Sequence, residues 1–290
     1  MKSGFVSVVG RPNVGKSTLL NSIVGKKISI VSPKSQTTRD EIQGIYNDDD
    51  AQIIFVDTPG IHKPQNELGE ILDKRAYRTI RDCELALFVV DSSKQFGDGD
   101  QYLFDHLKFD CPLIIVFNKI DLTNINLITN LKDIYRKQFP DSKMIEVSAL
   151  QEFNIDLLIK ELKESLEEGP AYYDVNQITN KDLRFQVQEI VREKTLLLLK
   201  EEVPHGIAVL CDEIDTSKKN LDIYCKIVVE RESQKSIVIG KGGKMVKKIG
   251  ILARKEIEAL ILKHINLILN VQVVENWRNS SSFLVKIGYR

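Results

Sequence analysis

Residues Gly10-Arg11-Pro12-Asn13-Val14-Gly15-Lys16-Ser17 follow the pattern G-x-x-x-x-G-K-[ST] and come directly after the apolar run of residues 5–9. Such a loop packs backbone N–H groups around a polyphosphate, which needs small side chains at its close approaches, supplied by Gly10 and Gly15. Residues 5–9 read as the strand the loop requires. Residues 17–24 carry apolar side chains at helical spacing, so the positive end of a helix dipole joins Lys16 in facing the phosphates. A strand, a phosphate loop and a helix in this order commit the N-terminal half to an α/β domain with a mostly parallel sheet and helices on both faces.

The loop specifies a nucleoside triphosphate, and the base is read from Asn118-Lys119-Ile120-Asp121, which follows the apolar strand of residues 112–117. A carboxylate at Asp121 accepts two hydrogen bonds, from the N1–H and the 2-amino group of guanine, whereas adenine offers neither donor. A buried acceptor left unpaired discriminates by roughly ten-thousand-fold or more, so GTP and GDP are the expected ligands. Asn118 is expected to brace the loop, and Lys119 to lay its aliphatic stem over the nucleotide. Ser148 and Ala149, at the end of the strand of residues 144–147, are expected to offer a backbone N–H to the guanine 6-oxygen.

Between these motifs, the apolar strand of residues 53–56 runs into Asp57-Thr58-Pro59-Gly60. Magnesium takes octahedral oxygen ligands and keeps waters, so Ser17 is expected to bind Mg2+ directly and Asp57 to hold it through water. Gly60 lets its N–H approach the terminal phosphate. The polar segment Gln36-Thr37-Thr38-Arg39-Asp40 offers a threonine to close over the metal; Thr38 is favoured, although the spacing alone leaves Thr37 open. Lys16, Thr38 and Gly60 are the candidate catalytic residues. Arg11, Pro12, Asn13, Val14 and Thr18, with Thr58 and Pro59, complete the expected nucleotide shell. His62 reads as an exposed residue of the same loop.

At 290 residues the chain should hold two domains. Hydrophobic residues at 42% and charged residues at 28% exclude a disordered chain, and no apolar run approaches the roughly 20 residues that span a bilayer. Cys83, Cys111, Cys211 and Cys225 have neither paired spacing nor histidine partners, and read as reduced core thiols of a cytoplasmic protein. The zero net charge conceals an asymmetry: residues 1–180 carry 21 basic and 27 acidic side chains, and residues 181–290 carry 20 and 14. Gly169-Pro170 stops the alternation of strands and helices. The expected organisation is a first domain at 1–170, a linker at 171–182, a second domain at 183–276 and a short basic tail at 277–290.

The second domain reads as helix, strand, strand, helix, helix, strand, with its first helix ending at Val203-Pro204 and its first two strands separated by a polar turn around residues 216–220. Between its two later helices lies Ile239-Gly240-Lys241-Gly242-Gly243-Lys244. A glycine turn of this form brings backbone N–H groups against the phosphates of a single strand. Residues 233–255 contain Lys241, Lys244, Lys247 and Lys248 among seven basic side chains and no acid, so binding should weaken steeply with salt. Ile237, Ile239, Val246 and Ile249 are the apolar candidates for base contact, some of them necessarily core. Trp277 reads as a core anchor rather than a base-stacking ring.

Taken together, GRPNVGKS, QTTRD, DTPGIH, NKID and the Ser148-Ala149-Leu150 turn resemble the Era-like family of translation-factor-related GTPases, and the element order around GKGG resembles a type II K homology domain, an α+β fold. The resemblance covers essentially the whole chain. It implies slow GTP hydrolysis, binding to 16S ribosomal RNA near its 3′ end, a role in assembling the small ribosomal subunit, and nucleotide control of RNA engagement by a monomer. Ile61 stands where Ras-like relatives carry the water-orienting glutamine, which places the chain with the subgroup bearing a hydrophobic substitution there. Asn13 resembles the residue that holds K+ beside the phosphates in potassium-activated members. A small-molecule kinase, a passive RNA-binding module, and a protein peripheral at the inner face of the cell membrane are the alternatives, the last because a basic patch also faces anionic lipid.

Overall fold

The computed structural model describes residues 1–32, 34, 37–199, 206–217 and 221–289. Gln36, the helix stop at Val203-Pro204 and residues 218–220 of the polar turn lie outside the described residues. The chain divides into two compact units whose main boundary falls between Asn180 and Lys181.

In the first unit, a six-stranded sheet has the order β2-β3-β1-β4-β5-β6, with β1 Lys2–Val9, β2 Ile42–Asn47, β3 Ala51–Asp57, β4 Leu85–Asp91, β5 Leu113–Asn118 and β6 Lys143–Glu146. Every pairing is parallel except β2 with β3. The central strands read as continuous apolar runs because both faces are covered. On one face Val6, Val8, Phe55, Leu87 and Val116 pack against Leu19 and Leu20 of α1 (Lys16–Val24) and Leu158 and Leu162 of α5 (Ile155–Ser165). On the other, Val9, Phe88, Val90, Ile115 and Phe117 meet helices α2 (Glu67–Arg81), α3 (Asp98–His106) and α4 (Ile125–Gln138) through Ala76, Ile80, Leu103, Leu131 and Tyr135. Strands β1, β3, β4, β5 and β6 run parallel and present their C-terminal ends to one edge of the sheet, where the phosphate loop follows β1, the Asp57 turn β3, the Asn118 turn β5 and the Ser148 turn β6.

Residues 171–180, read from sequence as linker, are fastened along the edge strand β2. The buried Gln52 side chain accepts from the Tyr172 and Tyr173 amides (2.6 and 2.9 Å) and donates to the Tyr173 carbonyl (2.8 Å). Ile45 N–H donates to the Ile178 carbonyl (2.9 Å), Gln43 N–H to Asn180 Oδ1 (3.2 Å), and Gly44 bridges Thr179. The edge that β2 would otherwise expose is therefore partly paired.

The second unit packs α6 (Leu183–Leu198), α7 (Glu232–Ile239) and α8 (Lys244–Ile261) on a sheet ordered β7-β8-β9. Strand β7 (Ala208–Asp215) is antiparallel to β8 (Leu221–Val229), and β9 (Ile265–Val273) is parallel to β8. Asp182 caps α6 by accepting from the Phe185 amide (2.8 Å). The core includes Val187, Val191, Ile223, Ile227, Ile249, Ala253 and Ile257. Trp277 is fully buried and donates from Nε1 to the Gly206 carbonyl (2.9 Å), so it is a core anchor; the tail continues into α9 (Ser281–Lys286), packed through Leu284. Among the described residues no helix is long and apolar enough to cross a membrane.

The cysteines are less scattered than their spacing suggests. Cys211 and Cys225 face each other across β7 and β8, both buried, whereas Cys83 and Cys111 are only half-buried, with sulfurs 3.8 Å apart.

Candidate functional site

The phosphate loop leaves the end of β1 and turns into α1 with Gly15 as its N-cap at φ 100°. A side chain at Gly15 would place its Cβ 2.3 Å from Asn118 Nδ2, so glycine is required both for the backbone turn and for the approach of the Asn118 loop. Asn118 joins three segments: Nδ2 donates to the Val14 carbonyl (2.9 Å), and Oδ1 accepts from the Ala149 amide (3.0 Å). Lys119 lies across the same loop, its Nζ donating to the Asn13 carbonyl and to Asp91 Oδ2, both at 2.7 Å. Asn13 is exposed at φ 65°, a left-handed conformation that asparagine tolerates. Lys16 is buried, donates to the Gly10 and Arg11 carbonyls (3.0 Å each), and is lowered by desolvation to about 8 against the opposing pull of Asp57.

Ser17, Thr38 and Asp57 converge beside Lys16. Ser17 Oγ donates to Asp57 Oδ2 (2.8 Å) and lies 3.0 Å from Thr38 Oγ1, which itself reaches Asp57 Oδ2 at 3.4 Å. Ser29, which sequence reasoning missed, adds a bond from Oγ to the same oxygen (3.2 Å). Burial pushes the Asp57 carboxyl upward, opposed by Lys16 and these hydroxyls, and its Oδ1 is buried with no hydrogen-bond partner among the described residues. An all-oxygen cluster with one unsatisfied buried carboxylate oxygen fits a hard cation such as Mg2+. Thr37 is half-buried, and Thr38 is buried within the cluster.

Other expected residues sit differently. Thr58 is buried and its hydroxyl donates to the Val8 carbonyl (2.8 Å), bracing β3 against β1. Pro59 is buried, and Gly60 lies against the Pro12 backbone. Thr18 is half-buried within α1. Both amides assigned to the guanine 6-oxygen are engaged inside the protein, Ser148 N–H with the Phe153 carbonyl (3.2 Å) and Ala149 N–H with Asn118. Ser148 contributes its hydroxyl instead, donating to Asp121 Oδ1 at 2.6 Å and so fixing the carboxylate expected to read guanine. His62 is not an exposed loop residue: it is half-buried, with Nδ1 4.0 Å from Asp73 Oδ1 on α2. Burial and then Lys16 lower its pKa, while burial raises Asp73 to about 7, partly offset by the His62 backbone N–H. Asp100 is a further residue that sequence missed, binding Arg11 Nη1 (2.7 Å) and accepting from Tyr135 (3.3 Å) to anchor the loop to α3 and α4.

In the second unit, Gly240 to Gly243 form the turn between α7 and α8, with Gly242 at φ 61° and nothing within 4 Å of a Cβ placed there. Lys241, Lys244, Lys247 and Lys248 are all exposed around it, and Ile239 is half-buried at its entry. A groove of about 360 Å3 runs from Val246, Gly250 and Arg254 on α8 to Asn266, Leu267 and Leu269 on β9. Of the apolar residues expected there only Val246 lines it; Ile249 is core, and Ile237 and Ile239 belong to α7. Residues 246, 250 and 254 form one i, i+4 row on α8, beside the core row 249, 253 and 257.

A family model described as 50S ribosome-binding GTPase matches residues 5–119, and a KH domain model matches residues 202–278. Across 99% of this chain and 96% of its relative, the sequence is 45% identical to GTPase Era of Lacticaseibacillus paracasei. The chain belongs to the Era GTPase family. Two solved Era structures, each 39% identical, cover all of this chain and are themselves covered to 99%. One is a variant of Aquifex aeolicus Era bound to GDP and AlF4−, with a TM-score of 0.94, and the other is Era in complex with MgGDPNP and nucleotides 1506–1542 of 16S ribosomal RNA, with a TM-score of 0.95. The Era family architecture, a P-loop GTPase domain followed by a KH domain, is the one described above.

Proposed function

We propose that this chain hydrolyses GTP to GDP and phosphate at a slow intrinsic rate, engages 16S ribosomal RNA near its 3′ end, and serves assembly of the small ribosomal subunit, with the bound nucleotide controlling RNA engagement. The observation that carries this is the convergence of Ser17, Thr38 and Asp57 beside a P-loop lysine, on a chain that also carries a lysine-rimmed GKGG turn. The Era complex with MgGDPNP and 16S ribosomal RNA supports it, since that relative is covered over its whole length.

In this reading Ser17, Thr38 and Asp57 are the residues that would hold Mg2+, which would supply positive charge beside the phosphates. Lys16 and the loop amides cradle the phosphates, the Gly60 amide faces the terminal one, and Asp121 reads guanine. Lys241, Lys244, Lys247 and Lys248 neutralise RNA phosphates. The modules are residues 1–170 and 183–276, joined by 171–182 and followed by a tail at 277–290. We place the working monomer in the cytoplasm. Equal hydrolysis rates in potassium and in sodium would remove Asn13 from a cation-binding role.

Turnover of labelled GTP tests the activity: free phosphate marks a GTPase, phosphate on an acceptor marks a kinase, and no release marks a passive module. Binding to anionic vesicles that is lost when Lys241 and Gly242 are replaced by acids, with no RNA binding in the parent, would favour the peripheral membrane reading, and salt-sensitive RNA binding lost in the same variant would argue against it.

A further inference from the structure

The structure assigns Cys83 and Cys111 to a peroxide-reactive dithiol on the first unit, placed away from the phosphate loop at the N-terminal ends of two adjacent strands. Cys83 follows α2 just before β4, and Cys111 lies just before β5; these strands pair in parallel with Ala86 opposite Leu113, which brings the two approaches together. Their sulfurs are 3.8 Å apart across 28 positions of sequence. That is contact distance for two thiols, and a disulfide needs the pair to close to about 2.05 Å, a movement that half-exposed segments outside the strands can make.

The two sulfurs are not equivalent. The Cys83 thiol is held below its ordinary pKa, chiefly by the hydrogen bond it receives from Cys111, with backbone hydrogen bonds from Ser7 and Leu85 acting in the same direction and burial and Glu84 against it. Cys111 is pushed the opposite way by donating that bond. Access is provided beside them. A hollow of about 560 Å3 is lined by Ile80, whose carbonyl contacts Cys83 Sγ at 3.2 Å, and by Asp110, the neighbour of Cys111, together with Arg81, Lys108, His106 and Tyr77. Cys211 and Cys225 form an internal control, because they are also paired but both are buried within the second unit's sheet.

The step balances with hydrogen peroxide as the oxidant. Cys83 gives its proton to solvent, its thiolate attacks one peroxide oxygen, the O–O bond breaks, and the leaving hydroxide takes up that proton to become water, giving the sulfenic acid. Cys111 sulfur then attacks the Cys83 sulfur, the S–O bond breaks, and the hydroxyl leaves as water with the Cys111 proton. Two thiols lose two electrons, and the peroxide becomes two waters. The bond ties the end of α2 to the approach to β5.

Treating the reduced full-length protein with hydrogen peroxide, quenching by alkylation and mapping the peptides tests this. A bridge between the Cys83 and Cys111 peptides is expected, forming roughly tenfold faster than any oxidation of Cys211 or Cys225. In Cys111→Ser, Cys83 is expected to stop at the sulfenic acid and to be trapped by a sulfenic-specific nucleophile; in Cys83→Ser, Cys111 is expected to stay reduced. Oxidation of all four cysteines at one rate, a bridge between chains instead of within one, or a Cys83 that remains alkylatable throughout would overturn the assignment. Circular dichroism of each serine variant separates loss of the fold from loss of the reaction.

Discussion

Ile61 sits at the position where glutamine-bearing relatives orient the attacking water, yet its side chain is only 1% exposed and packs with Val9, Ala76, Ile80 and Phe88. Ile61→Gln should therefore bury an amide with no partner, at a cost of about 1–3 kcal/mol, without raising the hydrolysis rate; a urea denaturation curve and a phosphate-release assay check both parts. Asp73 gives a pH prediction. Its carboxyl is raised to about 7 in the folded chain, against an unfolded value of about 3.9, so the folded state keeps a proton that the unfolded state has released. This contribution makes stability fall as pH rises between those values and level off above the higher one. His62 is lowered and acts in the opposite direction, losing stability on acidification, so the test compares variants rather than reading one raw profile. In Asp73→Asn the fall should disappear, leaving the variant gaining on the parent from acid to neutral pH; melting profiles that stay parallel across that range would contradict it. Sequence disclosed Asp57 and Asp121 because each belongs to a short contiguous motif. It concealed Ser29, Asp100 and the setting of His62, whose partners lie far along the chain, and it did not disclose the bonds of the Ser148 and Ala149 amides to Phe153 and Asn118, whose acceptors are brought up only once the loops fold together.

Among the elements, the segment fastened to β2 was the least legible. Gly-Pro followed by Tyr-Tyr reads as linker, and fastening through Gln52 of β3 and scattered backbone groups of the edge strand β2 imposes no periodicity. Gln52→Ala should leave the Tyr172 and Tyr173 amides without their acceptor, cost about 2–3 kcal/mol, and speed hydrogen exchange at those two positions first. Unchanged exchange there would mean that the backbone bonds to β2 suffice. The helices of the second unit were legible because their apolar residues recur at helical spacing, but which row of α8 faces the groove was not. Of the apolar candidates on α8, Ile249 is core and Val246 lines the groove, where its row continues with a glycine and an arginine, types that reveal a cleft only when β9 is alongside. Replacing Lys247 and Lys248 by alanine should lower the salt slope of RNA binding by about 0.7 for each phosphate no longer neutralised, measured by fluorescence anisotropy over a salt series.

For the molecule as a whole, one chain combines a P-loop GTPase domain with a KH domain, and the segment connecting them is bonded to the strand that follows Thr38. On the proposed reading, loss of the terminal phosphate would release Thr38, and β2, which follows it and carries the bonds to residues 178–180, would be the element through which that change meets the connecting segment. Such coupling is a free energy shared by both ligands, commonly about 5- to 150-fold in affinity. The direct measurement is the affinity of a single-stranded RNA from the 3′ end of the small-subunit ribosomal RNA for the protein loaded with Mg2+ and either a non-hydrolysable GTP analogue or GDP. The account predicts affinities that differ by about fivefold or more; identical affinities in the two nucleotide states would contradict it.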